Sequence, residues 1–119
     1  RLAAQPLPLT SAARLSEARC APMANRSLSI MLRREGDREG AEKVWQEMTR
    51  RGQMGAFPYI ELAKLREHRD RNYEEALRLS ERALALTEDE KERAALDVRI
   101  ARPKRRIEQI INEKNLREE

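Results

Sequence analysis

Residues 59–86 read YIELAKLREHRDRNYEEALRLSERALAL, and the spacing of their apolar side chains decides the fold. Tyr73, Ala76, Leu77, Ser80 and Leu84 recur at i, i+3, i+4, i+7 and i+11, the period of one face of an α-helix. Leu79, Ala83 and Leu86 add a second stripe beside it, which predicts a helix packed on two sides. Asn72 stands three residues before Glu75, the arrangement of an N-cap with its capping-box partner. Upstream, Tyr59, Leu62, Ala63 and Leu65 give a partner helix its apolar side. Pro58 suits the first turn of that helix, where a missing N–H costs little. The stretch is therefore expected to form two amphipathic helices joined by a tight turn.

The same unit recurs upstream in residues 28–48, LSIMLRREGDREGAEKVWQEM. Leu28, Leu62 and Leu96 lie 34 residues apart, while Ala41 and Ala76 lie 35 apart, so the second turn carries one extra residue. Small residues at these positions have a physical use, because an alanine at the closest helix–helix approach lets two backbones draw near. The marks Leu28, Leu32, Gly36, Ala41 and Trp45, then Leu62, Ala63, Tyr73, Ala76 and Ala83, resemble the tetratricopeptide (TPR-like) repeat over residues 24–100. The proline that usually follows the second helix is missing from both units. This resemblance implies an all-α, right-handed stack of antiparallel helix hairpins (an α-α superhelix) with a terminal capping helix. It also implies a scaffold or protein-interaction role.

A narrower resemblance concerns Glu61 to Lys64, Glu67 to Arg69, and a later string of Leu96, Arg99 and residues 102–105. These are similar to the C-terminal helical region of bacterial proteins that carry an N-terminal RNase H-like domain, a predicted exonuclease. Asp97 and Pro103 depart from that pattern. The resemblance implies that any nuclease carboxylates would lie upstream of Arg1, so no catalytic residue is carried over.

Composition fits an all-helical reading. Of 119 residues, 39% are charged and 3% aromatic, which favours helices with solvated outer faces around a modest core. The first residue is Arg, which suggests a fragment or a processed chain. No apolar run approaches the ~20 residues that span a bilayer, so no membrane association is expected. The single cysteine, Cys20, rules out an internal disulfide framework and fits a reducing cytoplasm.

Residues 1–21 read as a linker with a short helix, SAARLSEAR, and residues 22–112 as the helical domain. Its hairpins are expected at about 22–50 and 57–86, its capping helices at about 88–112, and a polar tail at 113–119. Gly36 is expected to close one helix and Asp37 to cap the next. Thr87 with Glu90 is a further capping signal. Pro103, which lacks a backbone donor, is expected to kink or break the last helix.

Nothing in the chain reads as an enzyme, and no cofactor is implied. His68 is the only histidine, whereas a zinc site needs three or four ligands. Cys20 has Arg19 beside it but no base partner. Carboxylate pairs such as Glu74 with Glu75 alternate with basic residues, as solvated helix faces do. Trp45 falls where the repeat places a core-filling side chain.

Two candidate surfaces remain. The first is a peptide groove lined by the first helix of each hairpin, with Arg26, Ile30 and Arg33 in one unit and Ile60, Lys64 and Glu67 in the next. Val98 and Arg102 would extend it. Its mixed basic and apolar character suits a protein or peptide partner, an acidic one in particular. The bland alternative is a solvated helix face. The second is RIARPKRRI, residues 99–107, where Arg99, Arg102, Lys104, Arg105 and Arg106 meet no acid. Such a segment could hold nucleic acid through counterion release, although no aromatic residue is near it in sequence to stack a base. Basic residues at a helix end, paired with nearby glutamates, are its bland reading. An exposed apolar edge also leaves room for a homodimer.

Overall fold

The computed structural model describes residues 22–118. The expected short helix SAARLSEAR and Cys20 lie outside the described residues. Five α-helices follow in order: α1 (Pro22–Arg34), α2 (Arg38–Arg51), α3 (Phe57–His68), α4 (Tyr73–Leu86) and α5 (Glu90–Glu118). The fold is all-α, with no strand among the described residues. No helix among them is long and apolar enough to cross a membrane. The helices fall into two compact units, divided between Gln53 and Met54.

In the first unit α1 packs on α2. Gly36, at φ 85°, ends α1 in the left-handed region open to glycine. The Asp37 carboxylate then caps α2 by accepting from the Gly40 N–H at 2.9 Å. Ala41, Val44, Trp45 and Met48 are buried at i, i+3, i+4 and i+7 of α2. The buried line of α1 is Asn25, Ser29 and Leu32, so two of its three members are polar. Asn25 Nδ2 donates to Gln53 Oε1 at 2.6 Å, and Ser29 Oγ donates to the Arg26 carbonyl at 2.7 Å.

In the second unit α4 is the centre, packing on α3 and on α5. Its most buried line is Ala76, Ser80, Ala83 and then Thr87. Small side chains there admit a neighbour on each flank. Ala56, Ala83 and Leu96 form the core cluster, with Tyr59, Ile60 and Leu84 packed around it. Leu86, expected in the second apolar stripe, is instead exposed, since the helix ends there and the chain turns away.

The α3–α4 turn has no glycine. Arg71 takes the left-handed conformation, φ 52°, which Gly36 approximates in the first unit. The Asn72 N–H donates to the Arg66 carbonyl at 2.8 Å across this turn. Asn72 caps α4 by accepting from Glu75 N at 3.2 Å. Glu75 does not reciprocate, because its carboxylate pairs with Arg78 one turn on.

One expectation is corrected in α5, and another is narrowed from a kink or a break to the first alone. Thr87 does not pair with Glu90, which is the first helical residue; its hydroxyl donates to Glu92 and accepts from Asp89 N at 3.3 Å. Pro103 does not break the helix, which runs unbroken for 29 residues with the proline inside it. The missing N–H leaves the Arg99 carbonyl without its usual helical donor. Burial of the ring offsets that loss. Beyond it the helix continues through the polar residues 113–118.

Candidate functional site

Four of the side chains singled out in the second unit, Ile60, Lys64, Glu67 and Arg102, lie where α3 and α5 flank α4. Ile60 and Lys64 on α3 face Glu92, Ala95, Leu96 and Arg99 on α5 around a cleft of about 170 Å³. Drug-sized ligands occupy pockets of roughly 300–1,000 Å³, so this cleft suits a side chain and not a cofactor.

The cleft is flanked by ion pairs. The Glu67 carboxylate is nearly covered, 11% exposed, and its Oε1 lies 3.4 Å from Arg99 and 3.8 Å from Arg102. His68 Nε2 stands 3.7 Å from the same oxygen. On the other side Lys64 Nζ meets Glu61 Oε2 at 3.1 Å, with Glu61 buried. Lys64 is thus paired with Glu61, and Arg99 and Arg102 share Glu67, while Glu92 lines the cleft and accepts from the Thr87 hydroxyl. Ile60, Lys64, Glu67 and Arg102 are brought together as one surface. Arg99, assigned from sequence to the basic segment, belongs to it too.

Arg26 and Arg33 are exposed on α1, and Ile30 is half-buried beside the Asn25–Ser29–Leu32 line. Val98 is largely exposed on α5, away from the cleft lining. Trp45 is buried in the first unit, 3% exposed, and its indole Nε1 has no hydrogen-bond partner among the described residues.

The basic segment is spread around the helix. At 3.6 residues per turn, Arg99, Arg102 and Arg106 share one face, while Lys104 and Arg105 point elsewhere. Two of the three on that face are engaged by Glu67. The third, Arg106, donates to Gln109 and lies 5.9 Å from the centroid of the Tyr73 ring. An aromatic ring therefore does stand near this segment. Sequence distance concealed it, because Tyr73 comes from α4.

The described residues contain no group of three or more His, Cys, Asp or Glu placed to hold a metal ion. Comparison with protein-family models, with curated proteins and with solved structures finds no match.

Proposed function

We propose that the chain is a non-catalytic, TPR-like protein-interaction module whose binding surface includes the α3–α5 cleft. The observation that carries this reading is the convergence of Ile60, Lys64, Ala95, Leu96 and Arg99 around an open, partly apolar cleft rimmed by paired charges. In a TPR-like stack the first helices of successive hairpins line the inner groove, and on the proposed register those helices would be α3 and α5. Leu62 and Leu96, 34 residues apart, are both buried, which supports the same register. The partner class is a peptide that sets an apolar side chain on Ile60 and Ala95, over the buried Leu96. An acidic neighbour on that peptide competes with Glu67 for Arg99 and Arg102. On the narrower resemblance, we propose that such a module would stand behind an RNase H-like domain in a larger bacterial protein.

The test is selection of peptides from a display library against residues 1–119, followed by amide chemical-shift mapping. The reading expects shifts centred on Ile60, Lys64 and Ala95, and about tenfold weaker binding with Ile60→Asp. Selected peptides that map elsewhere would sink it.

A second reading, nucleic-acid contact, draws on the exposed Lys104 and Arg105 and on the Arg106–Tyr73 pair. It requires oligonucleotide binding that weakens steeply with salt and shifts at Lys104 to Arg106.

A further inference from the structure

The helix α5 outruns its support. It has 29 residues against 14 in α4, and Arg106 already reaches Tyr73, the first residue of α4. The remaining 12 residues, Ile107–Glu118, add about 18 Å of helix, whose first turn, Ile107 to Ile111, borders the start of α4 and whose remainder passes it. Their apolar face is not a new one. Leu96, Ile100 and Pro103 are buried at i, i+4 and i+7, and Ile107, Ile111, Lys114 and Glu118 continue that line. Ile110 widens it. Ile110 and Ile111 are 43% and 51% exposed, so the stripe that α4 covers runs on uncovered. With Tyr73 and Arg71 these isoleucines line a cleft of about 220 Å³ at the start of α4.

We infer that this overhang is the dimerisation surface of the chain, pairing antiparallel with the same segment of a second copy about Ile111. The charge order selects both the occupant and the direction. In an antiparallel register centred on Ile111, Lys104 of each copy opposes Glu118 of the other, and Glu108 opposes Lys114. These four contacts join opposite charges, and all four residues are exposed; Arg105 and Arg117, which the same register also sets opposite each other, stand about 120° round the helix from Ile111 and off the apolar stripe. A parallel, in-register pairing would instead set each charge against its own copy. The antiparallel partner also lies along the path that α4 would have taken had it been longer. Its Glu118 then arrives beside Arg71 and Lys104, where the uncovered stripe begins. Two 12-residue segments bury less than a standard interface, so the association is weak, with a Kd of about 100 µM.

Sedimentation equilibrium of residues 1–119 over a concentration series tests this. The weight-average mass should rise towards twice the chain mass. Lys104→Glu alone and Glu118→Lys alone should each weaken self-association about tenfold, since each sets two like-charged pairs in the interface. Both residues are on the surface, and circular dichroism should show both variants folded. An equimolar mixture of the two variants restores opposite charges at both contacts, and should associate as tightly as the unaltered chain. A chain that stays monomeric throughout overturns the proposal. So do single variants that associate undiminished, or a mixture no tighter than its components.

Discussion

Glu47 shows how much a single residue's surroundings set its chemistry. Hydrogen bonds from Arg50 and then Arg51, one turn along α2, hold its carboxyl down from an ordinary 4.5 to about 2. A group whose pKa is lower in the folded state contributes stability above its unfolded value. That contribution is lost as pH falls from about 4.5 through about 2. A carboxyl chemical-shift titration is expected to find the Glu47 midpoint near 2, and Arg50→Ala to raise it towards 4.5. Asp70 behaves alike: Arg69, and after it Arg66, lower its pKa and fasten the turn after α3. None of this demanded a structure, because Glu47 and its two arginines lie three and four residues apart on one helix. The Glu67–Arg99 pair did demand one, since 32 residues of chain separate the two.

Among the elements, α5 contributes to stability unequally along its length. Leu96 is 2% exposed and sits in the core cluster with Ala56 and Ala83. Leu96→Ala is expected to cost about 2–5 kcal/mol, since small neighbours cannot collapse into the space it leaves. Ile111→Ser, on the uncovered end of the same helix, should change monomer stability by less than about 0.5 kcal/mol. Chemical denaturation of both variants at low concentration measures the contrast. Helical periodicity made these elements legible: the caps at Asp37 and Asn72 and the buried positions of α2 follow from spacing alone. Periodicity failed at Leu86, where the helix stops, because a stripe records which residues align and not whether a neighbour arrives. At Pro103 the proline rule allows a kink or a break, and the unbroken helix excludes the break, since that rule weighs one lost hydrogen bond and omits the burial of the ring.

For the molecule as a whole, the second unit stands on three helices, and its central one is exposed on a whole flank without α5. Deleting residues 87–111 removes Leu96, Ile100 and Pro103 from the core and opens the Ala76–Ser80–Ala83 line to water. A calorimetric scan of the deleted chain should lose the cooperative unfolding of this unit; a transition of undiminished sharpness would contradict that account. The candidate site was half legible at this scale. Ile60, Lys64, Glu67 and Arg102 were marked by repeat register, but their ion pairing emerges only when Glu61 and Arg99 are set among them. The overhang of α5 has one more consequence, for the timing of amide hydrogen exchange. Isolated helices of about 12–15 residues are marginal in water. Amides of α5 as far as Arg106 inherit protection from the core, whereas those after Ile107 open one turn at a time. The helix is continuous in outline, yet its deuterium uptake should divide in two near Arg106, slow before it and fast after it.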